Sequence, residues 1–159
     1  MEPRLSFGDS KIFGKFAKHL VSASGATAGT GLPHATEELV KIRASQINGC
    51  APCLDMHAKD AVAAGESQER LNLVAVWREA SVFTDAERAA LELAEQGTLI
   101  AGTGVTDEVW ANAAKHYDDE QLAALVCQIA IINAFNRGNV MTRQVGGGYQ
   151  PGQHSAPPE

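Results

Sequence analysis

The chain has 159 residues, of which 45% are hydrophobic and 20% are charged, and its formal net charge at pH 7 is -6. These values are typical of a single globular domain and exclude a disordered chain. The acidic balance, without a dense run of Lys or Arg, argues against nucleic acid or an anionic membrane as a partner. No segment approaches the roughly 20 apolar residues that cross a bilayer, and the start lacks the pattern of a signal peptide. We therefore expect a cytoplasmic protein.

Apolar residues recur every three or four positions along most of the chain, which predicts an all-α fold. A first helix is predicted near residues 10–22, followed by a flexible loop in the sequence SASGATAGTG. The later helices are delimited by cap residues, by Pro52 in a first turn and by the Asn48-Gly49 pair at a helix end. These helices are predicted over 34–48, 51–64, 67–79 and 84–100, with a shorter one from Thr106 or Asp107 and a last one from Asp118.

The same patterns divide the chain into three parts. Residues 1–33 would form an N-terminal helix and flexible loop, residues 34–145 a compact multi-helix core domain, and residues 146–159 a disordered tail rich in Gly and Pro. Within the core, residues 121–136 are hydrophobic on most sides, so this helix must be buried in the domain or at a subunit interface. It therefore predicts a homo-oligomer, and its Cys127 is expected to be a buried, inert thiol.

The sequence Cys50-Ala51-Pro52-Cys53 stands where a loop becomes a helix, and the N-terminal end of a helix favours thiolate. At least one of the two cysteines should therefore have a lowered pKa. The two-residue spacer lets one sulfur capture a sulfenic acid on the other as a disulfide. His57 follows Cys53 by one helical turn, where it could accept the thiol proton or stabilise the thiolate.

A zinc site is the alternative for the same side chains. Cys50, Cys53 and His57 supply three ligands, and the fourth would come from Cys127, His34, His19 or water. The chain lacks the second paired cluster of the usual structural zinc site. We therefore predict thiol chemistry without a metal or another cofactor.

The run ELVKIRASQINGCAPCLDMHAKDA resembles the core motif of the AhpD-like family, which includes the alkylhydroperoxidase AhpD and the carboxymuconolactone decarboxylases. Two later segments, REASVFTDAERAALELAE and IINAFNRGNVMTR, resemble the branch with a cysteine pair, so the resemblance covers residues 34–145. The motif positions match at the family's spacing, and they are Glu38, Arg43, Ser45, Asn48, Gly49, Cys50, Cys53 and His57.

This resemblance implies an all-helical bundle that assembles as trimers or hexamers, and an antioxidant dithiol peroxidase of the peroxiredoxin type. Cys53 would be the buried thiol that attacks an organic hydroperoxide. Cys50 would be the more exposed partner that closes the disulfide and receives electrons from a protein dithiol. His57 and Glu38 would form the proton relay, whereas without the resemblance Glu38 is an ordinary acid of a first helical turn. Arg43 is expected to make a salt bridge that fixes the motif helix.

One position departs from the family pattern. AhpD has a second His immediately before the second Cys, and this chain has Pro52 there, which cannot relay a proton. We therefore expect a weaker peroxidase or a different substrate. The alternative function is a thiol–disulfide adaptor or redox sensor that reduces no peroxide at a useful rate. Lactone decarboxylation is not expected, because the decarboxylase branch generally lacks the cysteine pair.

Overall fold

The computed structural model describes residues 2–153, which form seven α-helices and one 3₁₀ helix in a single domain without a β-strand. The all-α fold class is thereby confirmed. None of the helices in this part of the chain is long and apolar enough to cross a membrane. The α-helices are α1 (Lys11–Gly25), α2 (His34–Asn48), α3 (Ala51–Ala63), α4 (Gln68–Leu73), α5 (Asp85–Thr98), α6 (Asp107–Ala113) and α7 (Asp119–Thr142), and the 3₁₀ helix is Val74–Glu79.

Three helices of the core begin at the predicted cap residues. Thr84 and Asp118 each accept a hydrogen bond from the backbone N–H three residues later, and the side chains of Glu87 and Gln121 bond back to the cap backbone. Thr106 caps α6 through its hydroxyl. These predictions are confirmed. They succeed because hydrogen bonds within a few residues decide where such helices begin.

Two segments differ from the prediction. Helix α1 continues to Gly25, so the first residues of the predicted loop are helical. The predicted helix over 67–79 is divided into α4 and the 3₁₀ helix, inside which Val76 has φ -122° and ψ 29°. The division accompanies a contact within the core, since the indole N–H of Trp77 donates to Glu95 Oε1 at 2.9 Å. Tertiary packing here overrides the local helical preference.

Helix α2 is central and packs against α3, α5 and α7. Two larger clusters of apolar side chains fill the core on either side of it. A third, smaller cluster surrounds the two sulfurs of Cys50 and Cys53 with Ala44 of α2 and Ile132 of α7. The fold therefore places the cysteine pair between α2, α3 and α7.

Helix α7 has one face in the core and one face that the single chain leaves exposed. Leu125 and Ile132 are buried, whereas Val126 and Met141 are exposed. Cys127 is exposed as well, contrary to the prediction of a buried thiol. The helix reaches Thr142, beyond the predicted stretch, and it is not covered on all sides within one chain.

The chain after α7 turns back onto α3. The backbone N–H groups of Gly147 and Tyr149 donate to Asp55 Oδ2 at 2.8 and 3.1 Å, and the Tyr149 hydroxyl donates to the Asp60 carboxylate at 2.9 Å. The disorder predicted for residues 146–159 stays a prediction, but Asp55 and Asp60 supply acceptors for this segment that a composition argument does not see. Residues 154–159 of the predicted tail lie outside the described residues. The divisions at residues 33 and 145 stay predictions.

The predicted salt bridge of Arg43 is confirmed. Arg43 Nε lies 2.7 Å from Glu95 Oε1, which joins α2 to α5. Glu95 also accepts hydrogen bonds from Trp77 and Arg78. Burial raises the pKa of Glu95, but these three donors outweigh it and lower the pKa overall. The carboxylate is therefore ionised and holds three elements together.

We expect Glu95→Gln to lower the free energy of unfolding by about 2–3 kcal/mol, because two guanidinium groups lose the charge of a buried partner. Urea denaturation followed by circular dichroism measures this change. Glu92→Gln is the matched control, because Glu92 makes one 3.5 Å contact with the half-exposed Arg78. The control should change stability by less than about 0.5 kcal/mol, and equal losses in both variants would contradict the role given to Glu95.

Candidate active site

A sharp reversal between α2 and α3 positions Cys50. Gly49 ends α2 in the left-handed conformation, with φ 67° and ψ 33°, which favours a residue without a side chain. The next backbone N–H, that of Cys50, donates to the Ser45 carbonyl at 2.9 Å. Cys50 is thus the N-cap residue of α3, and Pro52 lies in the first turn, as predicted.

Both thiols of the pair are free and buried. Cys50 is 1% exposed and Cys53 is 3% exposed. The greater exposure predicted for Cys50 is not seen in the single chain, because both residues are almost fully buried. The chain after α7 explains the difference, because Gly146 lies directly on the backbone of Ala51 and Pro52 in the first turn of α3.

The two sulfurs share a hydrogen-bond donor that the sequence reasoning missed. Asn139 Nδ2 lies 3.1 Å from Cys53 Sγ and 3.7 Å from Cys50 Sγ. A signal was present, because Asn133, Asn136 and Asn139 recur every three residues on an apolar helix. Three amides at that spacing share one face and need polar partners.

The other two amides of this face bind within the chain. Asn48 Nδ2 donates to Asn133 Oδ1 and to Asn136 Oδ1, both at 2.9 Å. Asn133 Nδ2 donates to Thr98 Oγ1 at 3.1 Å, and Asn136 Nδ2 donates to Ser45 Oγ at 3.2 Å. They therefore fix α7 against α2 and α5.

The two thiols hold one proton between them near neutral pH. A hydrogen bond from the Cys53 thiol lowers the pKa of Cys50 to about 7 against the opposing effect of burial, with support from the backbone N–H of Cys53 and the Asn139 amide. The same hydrogen bond, burial and the charge on Cys50 raise the pKa of Cys53. The directions of the two shifts make Cys50 the thiol that ionises first, while Cys53 keeps its proton. The predicted lowering of at least one pKa agrees with this arrangement.

The structure brings the two predicted relay residues together. His57 Nδ1 on α3 lies 2.9 Å from Glu38 Oε2 on α2, and Glu38 is only 4% exposed. Among residues 2–153, no hydrogen bond joins the His57 ring to a sulfur. His57 and Cys53 are therefore one helical turn apart on α3 without the direct contact that the sequence predicted.

Lys41 is a further partner of this carboxylate that sequence reasoning missed, although its spacing from Glu38 is that of a helical ion pair. Lys41 Nζ lies 2.9 Å from Glu38 Oε1. Burial raises the pKa of Glu38, but His57 and Lys41 together lower it to about 2. The carboxylate is thus charged at neutral pH and holds Nδ1 of His57, which leaves Nε2 as the nitrogen able to accept a proton.

A cavity of about 220 Å³ opens beside Glu38. Its walls include Leu39, Glu66 and Leu71, and at its edge His34 Nε2 lies 3.9 Å from Glu38 Oε1. The cavity contacts the relay carboxylate but neither sulfur.

The alternative zinc ligands are not gathered around the pair. In the part of the chain that the structure describes, no three His, Cys, Asp or Glu side chains form a cluster able to hold a metal ion. Cys127 is exposed on α7, His19 is exposed on α1, and His57 is bound to Glu38.

The lowered pKa of Glu38 predicts a dependence of stability on acid. A carboxyl group whose pKa is lower in the folded chain stabilises the fold above its unfolded pKa, and this contribution disappears as the pH falls through the folded value. For Glu38 the window runs from 4.5 down to about 2. Between the ends of this window we expect wild type to lose on the order of 3 kcal/mol more than Glu38→Gln.

Urea denaturation at a series of pH values measures this difference. Glu37→Gln is the matched control, because burial raises rather than lowers the pKa of Glu37. The control should lose at least as much stability in acid as the wild type, because a group with a raised pKa contributes with the opposite sign. Parallel curves for wild type and Glu38→Gln would contradict the prediction.

Comparisons with known proteins agree with this geometry. The model of the carboxymuconolactone decarboxylase family matches residues 14–96, which is just over half of the chain. The uncharacterized protein YdfG of Bacillus subtilis is 44% identical over 111 residues, which are 70% of this chain and 76% of YdfG.

Solved structures show the same fold. A protein of unknown function from Agrobacterium tumefaciens, named as a candidate antioxidant defence protein AhpD, is 34% identical with a TM-score of 0.85, over 93% of this chain and 100% of that one. The debrominase Bmp8 is 19% identical with a TM-score of 0.76, over 89% and 75% of the two chains, and this likeness concerns the fold alone. The family match and the identity to YdfG together establish that the chain belongs to the carboxymuconolactone decarboxylase family, among its AhpD-like members.

Proposed function

We propose that the protein is an antioxidant dithiol peroxidase that reduces organic hydroperoxides with the pair Cys50 and Cys53. The observation that carries this proposal is the pair itself, two adjacent buried thiols that hold one proton at the start of α3. The carboxylate-bound His57 on the next turn of the same helix supplies a base. Members of the family are enzymes, and the name of the Agrobacterium tumefaciens protein points to antioxidant defence.

In the first half of the cycle, the Cys53 thiolate attacks the terminal oxygen of the hydroperoxide. A sulfur–oxygen bond forms, the oxygen–oxygen bond breaks, and Cys53 is oxidised to a sulfenic acid. The alkoxide that leaves takes a proton and becomes an alcohol. The proton of Cys53 goes first through a bridging water molecule to Nε2 of His57, while Glu38 stabilises the imidazolium.

In the second half, the Cys50 thiolate attacks the sulfur of the Cys53 sulfenic acid. The disulfide forms, the sulfur–oxygen bond breaks, and hydroxide leaves as water after taking a proton. The lowered pKa of Cys50 suits this step, because the second nucleophile is already ionised near neutral pH. A protein dithiol then reduces the disulfide, and a reducing compartment such as the cytoplasm fits this reductant.

Thiol–disulfide exchange without peroxidase activity is the second candidate. The raised pKa of Cys53 and the burial of both sulfurs favour it, because a thiol that keeps its proton reacts slowly with peroxide. In that case Cys50 would exchange with a partner disulfide, and no sulfenic acid would form.

Stopped-flow oxidation of the reduced protein by cumene hydroperoxide separates the two candidates. A peroxidase should form the disulfide between Cys50 and Cys53, identified by mass spectrometry, at least about 100-fold faster than free cysteine is oxidised. Oxidation at the rate of free cysteine would reject the peroxidase. Rapid exchange with a protein disulfide under the same conditions would then favour the second candidate.

Homo-oligomerisation is part of the same proposal. Exposed apolar side chains lie on α1 and α7 of the single chain, among them Ile12, Val126, Val140 and Met141. Such a surface is typical of an interface between subunits, and the family resemblance implies trimers or hexamers. Light scattering should give a multiple of the chain's mass, Val126→Lys should lower it, and a monomer mass for the wild type would reject the proposal.

A further inference from the structure

We propose that Asn139 is a third catalytic residue of the thiol site, whose side-chain amide donates to the sulfur that carries the negative charge. The proposal rests on the proposed redox function and adds a residue to it. Asn139 touches both reacting atoms, at 3.1 Å from Cys53 Sγ and 3.7 Å from Cys50 Sγ. The side chain of Asn136 also hydrogen-bonds the thiols, but its effect on the pKa of each is smaller than that of Asn139.

The neighbouring amides of α7 show why Asn139 differs from them. The side-chain N–H groups of Asn133 and Asn136 have oxygen acceptors at 3.1 Å and 3.2 Å, in Thr98 and Ser45. The Nδ2 group of Asn139 has the two sulfurs as acceptors instead. Helix α7 therefore binds oxygen acceptors through Asn133 and Asn136, and it presents Asn139 to the redox pair, with Asn136 as the lesser neighbour of the same sulfurs.

The position between the sulfurs matters because the charge moves during the cycle. Negative charge is on Cys53 when peroxide is attacked and on Cys50 when the disulfide closes. A donor within reach of both sulfurs can stabilise the charge in each step without a change of backbone position, as preorganised donors do in other active sites.

Titration of thiolate absorbance near 240 nm in the reduced protein tests this role without peroxide. Asn139→Ala and Asn139→Leu, which add no charge, should each raise the first apparent pKa of the pair by about one unit or more, because a hydrogen bond to a charged group is lost. Asn133→Leu is the matched control, since it removes a buried amide from the same face of α7 that contacts neither sulfur.

A titration unchanged in both Asn139 variants would overturn the proposal. The smaller Ala variant keeps the test valid if the Leu variant fails to fold. If the Asn139 variants shift the titration but wild type reacts with cumene hydroperoxide no faster than free cysteine, the donor role stands and the peroxidase fails. If the titration is unchanged but wild type reacts rapidly with cumene hydroperoxide, the peroxidase stands and the donor role of Asn139 fails.

A different observation carries a second inference, that residues 144–150 form a strap over the cysteine pair that must lift before a protein dithiol reaches it. Gly146 lies so close to α3 that an added Cβ atom would come within 2.6 Å of the Ala51 carbonyl oxygen. Asp55 binds two backbone N–H groups of the strap, and Lys59 Nζ donates to the Tyr149 carbonyl at 2.9 Å.

The strap covers the helical turn that begins at the buried cysteine pair. Cys50 is the N-cap residue of the turn that Gly146 covers, and it is buried. A small hydroperoxide needs a narrow opening, whereas a protein dithiol must bring its own sulfur to the disulfide. Strap release therefore controls the reduction of the site more than its oxidation.

Two glycine variants form a matched pair for the test. Gly146→Ala forces the strap off the first turn of α3, whereas Gly148→Ala meets no atom within 4 Å. Alkylation of the reduced protein by iodoacetamide, followed by mass spectrometry, should label Cys50 about tenfold faster in Gly146→Ala, a change in opening of about 1.4 kcal/mol. Gly148→Ala should label at the wild-type rate, with the exposed Cys127 as internal reference.

Asp55→Ala is a second way to release the strap, because it removes the acceptor of two backbone N–H groups. It should also speed the labelling of Cys50. Unchanged labelling in both Gly146→Ala and Asp55→Ala would overturn the strap. The readout requires no peroxide, so it is independent of the peroxidase test.

Discussion

The Cys53→Ser variant should lose rapid oxidation by cumene hydroperoxide, whereas Cys50→Ser should react and accumulate a sulfenic acid on Cys53. The first change removes the attacking sulfur. The second removes only the sulfur that closes the disulfide, so the oxidised intermediate has no partner to react with. Dimedone labelling followed by mass spectrometry identifies the sulfenic acid and its position.

In the Cys50→Ser variant, Cys53 should react with peroxide faster at neutral pH than the raised pKa of Cys53 in the wild type suggests. A hydrogen bond with Cys50 and the charge on Cys50 both raise the pKa of Cys53. Serine keeps a small polar group at the cap but carries no negative charge. The thiolate fraction of Cys53 therefore increases when Cys50 is replaced.

The control for both variants is Cys127→Ser, because Cys127 is exposed on α7 away from the pair. It should leave the rate and the disulfide unchanged. A dimedone adduct on Cys50 in Cys53→Ser, together with an inert Cys50→Ser, would reverse the roles. Such a result would mean that the thiolate with the lower pKa attacks the peroxide.

The parts of the site that the sequence predicts are those that depend on short spacing. Gly49 and Cys50 form a helix end and a helix start within two residues, and the cap signals of α5 and α7 are equally local. The pairing of Glu38 with His57 also followed, although through the family motif and not through geometry. In each case a few neighbouring residues contain the whole signal.

The parts that the sequence did not predict depend on contacts between distant segments. The Asn139 amide reaches the sulfurs from a helix that begins 66 residues after Cys53, and Gly146 covers a turn that precedes it by almost 100 residues. Composition predicted disorder for that segment because it counts glycines, whereas Gly146 is required there for close approach. The burial of Cys50 was missed for the same reason, because a distant segment covers the first turn of α3.

The second large effect is expected at His57, and His57→Ala should slow the oxidation of Cys53 by about 10²- to 10⁴-fold near neutral pH, the usual range for a general base. Cys53 keeps its proton at neutral pH because burial and Cys50 raise its pKa. The variant should recover part of this loss as the pH rises, since hydroxide then removes the proton. The measurement is the oxidation rate as a function of pH.

Two further variants separate the base from its surroundings. Glu38→Gln should lie between wild type and His57→Ala, because the amide keeps the volume of the side chain but no longer stabilises an imidazolium at 2.9 Å. His116→Ala is the matched control, because His116 lies in a different surface cavity with Trp77 and Arg88. If His57→Ala keeps the wild-type rate at every pH, the proton of Cys53 passes to the Cys50 thiolate instead, and the pair supplies its own base.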